Sequence, residues 1–460
     1  MVSMDATIVN VALPSIRADF GTTFSGLQWI IDAYTLTLAS FLLLSGATAD
    51  RVGRRRTFQV GLAVFSVGSL LCSIAPNIGF LIAARVIQAL GGSMLNPVAM
   101  SIITNTFTEA KERARAVGVW GAVVGVSMAF GPLVGGALTE SIGWRAVFWV
   151  NVPVGIAAII LTALFVPESR AARTRATDPF GQALVIVALF SFVCALIEGP
   201  RIGWGSPAIV GLFVLAGVCI AMLLWHGRRV AEPFIDLRFF HSFPFSAATI
   251  IAVLGFSAYG AFLFVNALYL QDVRGLTALE TGFYMLPLAI ATLVCSLISG
   301  RLVGRFGTRP SLMIAGGMIA VSGITLTFLA RDTNDIVLAC SYVLFGLGFG
   351  TVNAPITTTA VSGMPRAQAG VASGVASTSR QVGTSIGVAL AGTVTGVGAS
   401  EKLAPGFTSA THPLWWIVVG SGLTIVALGI ASTTRWAHRT TGTVAQLLDE
   451  PPVGATRAAA

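Results

Sequence analysis

Apolar runs of about 20 to 25 residues follow one another along most of this chain, each broken by a short polar or basic stretch. A helix rises 1.5 Å per residue, so such a run matches the ~30 Å of hydrocarbon in a bilayer. Lipid offers the backbone no hydrogen-bond partner, so a spanning run of this kind must be helical. Fourteen spans are expected, at approximately 1–17, 27–48, 57–75, 78–105, 114–138, 144–166, 180–199, 206–226, 243–270, 279–303, 310–330, 335–362, 368–397 and 413–436. Composition agrees. Of 460 residues 55% are hydrophobic and only 10% charged, with a mean hydropathy of +0.84. A soluble domain of this length carries far more surface charge. The expected class is an all-α, multi-pass integral membrane protein.

The net charge of +9 does not point to nucleic acid, because the basic residues sort by side. One set of alternate loops, with the C-terminal tail, holds Arg51, Arg54, Arg55, Arg56, Lys111, Arg113, Arg115, Arg170, Arg173, Arg175, Arg228, Arg229, Arg238, Arg301, Arg305, Arg309, Arg366, Arg435, Arg439 and Arg457. The other set holds only Arg17, Arg145, Arg201, Arg274, Arg331 and Lys402. Positive charge marks cytoplasmic loops, which places both termini inside. Lysine is confined to Lys111 and Lys402 in a chain rich in Ala and Gly, a usage typical of GC-rich bacterial genomes, and the expected location is the bacterial cytoplasmic membrane. Cys72, Cys194, Cys219, Cys295 and Cys340 lie inside apolar runs without paired spacing and read as small buried hydrophobes rather than metal ligands. His226, His241, His412 and His438 fall at span ends or in loops. No phosphate-binding glycine loop with a lysine is present. Nothing points to an enzyme, a metal, a cofactor or ATP as the energy source.

The chain repeats itself. GATADRVGRRR from Gly46 resembles GRLVGRFGTRP from Gly300, with Gly46/Gly300, Arg51/Arg305 and Gly53/Gly307 in register. ALGGSMLNP from Ala89 resembles GLGFGTVNAP from Gly346, pairing Gly91 with Gly348 and Asn96 with Asn353. VNVAL from Val9 matches VNALY from Val265 more weakly. Repeats of this kind belong to transporters built from two halves. The expected division is an N-terminal six-helix bundle over 1–166, a linker with two inserted helices over 167–242, a C-terminal six-helix bundle over 243–436 and a cytoplasmic tail over 437–460. Asn266 falls 23 residues after Phe243, whereas Asn10 has only nine residues before it. The first helix therefore reads as truncated, through a misassigned start or a shortened sequence.

Several polar residues stand where lipid makes them costly. From Asp5 to Ala18 is roughly 20 Å of helix, which puts this carboxylate near mid-membrane. A charge there costs about 2.5–3.5 kcal/mol on insertion scales and needs a partner or a cavity. Asp5 is either a site that takes and releases a proton or half of a permanent ion pair. Asp32, in WIIDAYTLTL, is nearer the outer face and is either a second titrating group or a vestibule residue. Arg85, in LIAARVIQALGG, needs an acid, with Asp5 and Asp32 the only deep candidates in the first half and Gln88 one turn away. It either answers protonation of that acid or only fixes packing. Arg380, in TSRQVGTSIG, has no matching acid in the second half. It is left to backbone carbonyls, to Asn353 and Asn266, or to the central cavity. Glu198, before Gly-Pro, reads as an interfacial helix end.

Glycine concentrates in the fifth helix of each half. Gly121/Gly125 and Gly131/Gly135 in one, and Gly370/Gly374 and Gly383/Gly387 in the other, have the G-x-x-x-G spacing of close helix approach. Pro132 removes a backbone hydrogen bond and permits a kink. The bundles are expected to rock on each other here. The loop carrying Gly46, Asp50, Arg51, Gly53 and Arg54 reads as an inner gate latch, with Asp50 pairing locally or facing a helix N-terminus.

These segments resemble a known family. MDATIVNVALP is similar to its first-helix motif, l-D-x-T-i-v-N-v-A-L-P. GATADRVGRRR resembles its G-x-L-a-D-r-x-G-r-k loop, with Thr48 in place of leucine. RVIQALGG resembles R-x-x-q-G-x-g, with Ala89 in place of glycine. FGPLVGG resembles the antiporter signature G-P-x-x-G-G at Gly131, Pro132, Gly135 and Gly136. WRAVFWVNVPVG, from Trp144, is also typical. The chain is identified as a member of the major facilitator superfamily, in its fourteen-helix drug:proton antiporter branch (EmrB/QacA type). That resemblance makes Asp5 a proton-linked acid and puts Arg85 in the proton-transfer position. The second loop copy has Gly304 where the first has Asp50, so the latch role attaches only to the first.

The function expected is proton-coupled efflux of lipophilic drugs or antibiotics, cations among them, by alternating access and driven by the proton gradient alone. Met94, Met128, Phe130, Tyr259, Phe262, Asn266, Tyr269 and Arg380 are the candidate pocket wall. The expected partners are a small-molecule substrate and the lipid bilayer, without nucleic acid, and the protein is expected to be a monomer. A transporter dedicated to one metabolite is an alternative. A membrane sensor that binds without turnover is another.

Overall fold

The computed structural model describes residues 1–107, 109–170, 178–230, 233–364, 368–396 and 406–449. Lys111, Arg173, Arg175, Arg366, Lys402 and Arg457 of the charge argument, and most of the tail, lie outside what is described for side chains. Seventeen α-helices follow in order: α1 (Val2–Phe20), α2 (Phe24–Val52), α3 (Arg54–Ser73), α4 (Ile78–Thr106), α5 (Ala110–Ser141), α6 (Ala146–Trp149), α7 (Asn151–Phe165), α8 (Pro179–Ile202), α9 (Pro207–Gly227), α10 (Phe243–Leu268), α11 (Ala278–Tyr284), α12 (Leu286–Phe306), α13 (Thr308–Leu326), α14 (Asp335–Val361), α15 (Ala369–Val394), α16 (Phe407–Ala431) and α17 (Arg435–Asp449). No strand occurs among the described residues.

Among the described residues twelve stretches are long and apolar enough to cross a membrane, against the fourteen expected. The two that fall short are α1 and α15. Within 19 residues α1 carries Asp5, Arg17 and Asp19, and α15 is rich in Gly, Ser and Thr and holds Arg380. Both are walled in by other helices. A helix sheltered by protein has no need of an apolar surface all round, and its hydropathy drops accordingly.

The repeat is visible in the packing. In the N-terminal set, α1 lies on α5, α2 on α4, and α3 on both α4 and α7. In the C-terminal set, α10 lies on α15, α12 on α14, and α13 on both α14 and α16. Asn10 and Asn266, paired by the weakest sequence match, are both buried and each donates to the carbonyl four residues back, of Ala6 and Phe262. The residue between α2 and α3, Gly53, has φ +126°, and its counterpart between α12 and α13, Gly307, has φ +79°. Only glycine adopts this region freely, which is why the loop motif keeps it in both copies.

The α8–α9 hairpin covers one flank of the molecule. α8 packs against both α2 and α15. The Thr393 hydroxyl donates to the Leu196 carbonyl at 2.7 Å, and Ser25 and Trp29 both donate to Glu198 at 3.0 Å. Glu198 is therefore a tie between helices rather than a bare interfacial end, and α8 runs on past Pro200 to Ile202. α9 is outermost, with Val210, Val214, Val218 and Trp225 exposed. Of the cysteines, Cys72 and Cys219 are buried, Cys194 and Cys295 half-buried, and Cys340 exposed. Cys340 corrects the expectation of burial: it lies on the outward face of α14, where lipid takes a thiol as readily as a core does.

The two sets meet along α2–α15 and along α5 with α11 and α12. Polar ties reinforce these seams at the end opposite the Asp50 loop. Arg17 pairs with Asp272 at 3.0 Å, and Gln271 donates to the Val11 carbonyl at 2.8 Å. Gln28 donates to the Val388 carbonyl at 2.8 Å, and the Leu279 amide donates to Glu140 at 3.0 Å.

Candidate functional site

Five helices of the N-terminal set close around Asp5, which is 0% exposed. One carboxylate oxygen pairs with the Arg85 guanidinium from α4. The other accepts from Gln88 Nε2 at 2.8 Å and from Asn151 Nδ2, at the start of α7, at 3.1 Å. Arg85 also donates to Gln88 Oε1 at 2.6 Å and to the Ile30 carbonyl of α2 at 3.1 Å. Gln88 bonds in turn to Ser69 of α3 at 2.8 Å. The Tyr34 ring lies 4.0 Å from the guanidinium carbon and that of Phe148 lies 5.6 Å away, so aromatic faces cover the rest of the cation. The cluster is sealed, with Arg85 1% exposed. Of the two acids expected to compete for Arg85, the structure selects Asp5.

Helix geometry explains the assembly. Arg85 and Gln88 are three apart on α4 and share a face, which turns towards α1 because α4 packs flat on α2 and α3. A Cβ at Gly91 would stand 2.8 Å from the Phe65 Cα, and one at Gly68 would meet the Gln88 backbone at 2.5 Å. Glycine at both positions lets α3 and α4 touch. The residues that sequence reasoning missed are Asn151, Ser69, Tyr34 and the Ile30 carbonyl. Asn151 stands in WVNVPVG, where an amide at the start of an apolar run was the available signal.

The second half lacks this chemistry. By the register of the repeat, Ala261 stands for Asp5, Tyr342 for Arg85 and Phe345 for Gln88. Phe262 there packs against Tyr342, Phe345 and Trp415, and the Tyr342 hydroxyl donates to Asn266 at 2.7 Å. An aromatic core replaces the ionic one.

Asp32 is also fully buried, but apart from Arg85. It lies on the α2 face towards α15, near Ser385, with Thr35 Oγ1 at 3.5 Å and its second oxygen without a partner. It is a seam residue rather than a vestibule residue. Arg380 bonds to Thr357 Oγ1 at 2.6 Å, Ser377 Oγ at 3.3 Å and the Asn353 carbonyl at 3.4 Å. Asn266 is occupied elsewhere and does not reach it.

The expected pocket wall is only partly assembled. Phe262, Asn266 and Tyr269 are each 0% exposed and sit inside the C-terminal set, because α10 is enclosed by α14, α15, α16 and α1. Tyr269 donates to the Ala330 carbonyl at 2.6 Å. Tyr259 is buried and stacks on Phe349 at 3.9 Å. Met94 packs towards Gly61 of α3, Met128 is half-buried against the core, and Phe130 is exposed on α5.

In the Asp50 loop the acid pairs locally, with Arg54 Nη2 at 3.0 Å. The α3 N-terminus is taken instead by Glu168, which accepts from the amides of Arg55 and Arg56 at 3.2 and 3.3 Å. Pro97 lies in ordinary contact distance of Gly46. The glycine signature on α5 acts mainly within its own half. A Cβ at Gly135 would stand 2.6 Å from the Ile8 carbonyl oxygen of α1, and one at Gly131 would collide with the Thr7 hydroxyl. In the repeat, Gly383 faces the Val253 carbonyl of α10 at 2.5 Å by the same measure, and Gly387 presses on Ser257. The tight approaches to the other half are made by Gly136 against Ala278 and Leu279, Gly282 against Pro132 and Leu133, Gly374 against Leu43 and Gly392 against Gln28. A Cβ at Gly121 or Gly370 would meet no described atom within 4 Å, and one at Gly125 would make an ordinary contact with Leu293, so these three do not mark tight packing. Pro132 lies within α5, its carbonyl facing Gly282 of α11.

Residues 1–388 match the family model of the Major Facilitator Superfamily. The chain is 38% identical over 407 residues to the multidrug resistance protein Stp of Mycobacterium tuberculosis, covering 88% of this chain and 75% of that one. It is 36% identical to the tetracenomycin C resistance and export protein of Streptomyces glaucescens, covering 85% and 73%. It is also 36% identical to the puromycin resistance protein pur8 of Streptomyces alboniger, covering 94% and 87%. Its backbone resembles a bacterial homologue of the lysosomal transporter Spinster, solved inward-facing and unoccupied, with a TM-score of 0.63 at 18% identity over 96% of this chain and 95% of that one. With relatives that are efflux proteins rather than enzymes, this chain belongs to the Major Facilitator Superfamily, in the company of its multidrug and antibiotic-resistance transporters.

Proposed function

We propose that the protein exports lipophilic drugs or antibiotics in exchange for protons, with Asp5 as the coupling acid. The observation that carries this reading is the sealed Asp5–Arg85 pair, held by helices of one half only. Adding a proton to Asp5 cancels the charge that holds Arg85, and an uncompensated cation in such a site must move or find another partner. α1 carries that event outward. It is pressed on α5 through Gly131 and Gly135 and is tied to the C-terminal set through Arg17–Asp272 and the Val11 carbonyl. A change at Asp5 thus acts on the ties at the end opposite the Asp50 loop.

The positive-inside pattern puts that end outside the cell, with both termini in the cytoplasm of a bacterium. The arrangement is then closed outward, and substrate enters from within. We take α1 and α15 as spans of this transporter, sheltered ones, which restores fourteen. The division into bundles over 1–166 and 243–436 with an inserted hairpin over 167–242 follows. The protein works as a monomer with the proton gradient as its only energy source. One charge moving inward gains about 2.3 kcal/mol per 100 mV.

Everted membrane vesicles from an overproducing strain test this. Addition of an exported antibiotic should dissipate an imposed pH gradient, a protonophore should stop antibiotic accumulation, and Asp5→Asn should abolish both. Accumulation that ignores the protonophore would exclude proton coupling.

A further inference from the structure

Arg380 is a mid-helix cation that the coupling scheme does not use. It sits near the centre of α15 and keeps part of its surface open. Its partners, Thr357, Ser377 and the Asn353 carbonyl, are all neutral, and its Nε is buried with no acceptor. Among the described residues no carboxylate pairs with it. Arg85 shows how this protein satisfies a membrane-depth guanidinium from within: it encloses it and gives it an acid. Arg380 is treated oppositely. It has neutral neighbours that orient the fork, and an open side. A planar guanidinium with several N–H donors matches a carboxylate or similar anion two bonds at a time.

The surroundings suit a lipophilic bearer of such a group. The Phe256 ring centre lies 5.9 Å from the guanidinium carbon, with Phe349 edge-on to that ring and Tyr259 stacked on Phe349. The contacts of Arg380 with Asn353 and Thr357 of α14 and with Phe256 of α10 set its head inside the C-terminal set.

We infer that Arg380 is the docking point for an acidic group of the exported molecule, so that the substrates include lipophilic carboxylates or ionised phenols. This rests on the export reading and narrows it, since a site built on an unpaired cation selects against cationic drugs.

Equilibrium binding to the purified full chain in nanodiscs tests the inference, using 1-pyrenebutyric acid and its methyl ester as fluorescent probes. Wild type should bind the acid about tenfold or more tightly than the ester. Arg380→Gln should bind both alike, at the ester's affinity, while Arg380→Lys keeps part of the preference. Each variant is compared with wild type by thermal unfolding, so that loss of fold is recognised. Equal affinity of wild type for both probes, binding of neither, or a loss shared equally by both probes in a folded Arg380→Gln protein would overturn the inference. Binding needs no gradient, so the two readings fail separately. Acid bound through Arg380 but never exported would remove the export reading alone. Ester and acid exported alike would remove this one alone.

Discussion

A carboxylate and a guanidinium sealed together at Asp5 and Arg85 are each tolerable only because of the other. Removing one partner of such a pair costs about 3–5 kcal/mol, because the survivor stays buried and charged. Asp5→Asn should therefore lower the thermal midpoint in detergent, and Asp5→Asn with Arg85→Gln should recover most of that loss without recovering proton exchange. A double variant no more stable than the single one would mean that the pair does not hold the fold in this way. A second carboxylate gives a pH prediction outside the spans. Asp178 caps α8. Its partial burial pushes the carboxyl up, but the Gly181 and Phe234 amides and the His226 ring outweigh burial and hold it below the usual range. A group depressed in the folded state stabilises fully above its unfolded pKa of about 3.9. That stability is lost as pH falls through the folded value. The stability gap between wild type and Asp178→Asn should shrink as pH falls below about 4, where the carboxylate is protonated. A gap that does not shrink there would refute the assignment.

Helix contacts decide which glycines matter. Gly135 faces a backbone carbonyl of α1 that cannot step aside, whereas Gly121 faces open space. Gly135→Ala should cost about 1–3 kcal/mol, the usual range for overpacking, and reduce export, while Gly121→Ala should leave both unchanged. Equal effects on resistance and melting would show that spacing alone, not the neighbour, sets the role. The two glycine pairs look identical in sequence, since G-x-x-x-G records closeness but not the partner. The repeat was readable because matched glycines and asparagines serve the same local geometry in both copies. The acid for Arg85 was narrowed to two, and geometry chose. Asn151 and Ser69 were not legible as site residues, because their role depends on which way α3 and α7 turn towards α1. The burial of Phe262 and Tyr269 was likewise hidden: an aromatic in an apolar helix reads the same whether it lines a cavity or fills a core. α1 and α15 fall short of a spanning hydropathy for the same reason, since sheltered helices are free to be polar.

Across the whole molecule, an ionic cluster in one half, an aromatic core in its repeat and a set of polar ties at one end make the two bundles unequal. α1 carries both Asp5 and the Arg17 tie. If Arg17–Asp272 is an outer latch, Arg17→Gln should raise outside labelling of a cysteine placed at the buried Val11 several-fold, in a protein whose native cysteines have been replaced. Unchanged labelling by an impermeant maleimide would remove the latch. The central claim is that Asp5 exchanges its proton for substrate. Proton release can be read directly with a pH indicator when an exported antibiotic is added to purified protein in weakly buffered detergent. Wild type should release protons in proportion to the substrate bound, and Asp5→Asn should bind substrate while releasing none. Release that persists undiminished in Asp5→Asn would contradict the account.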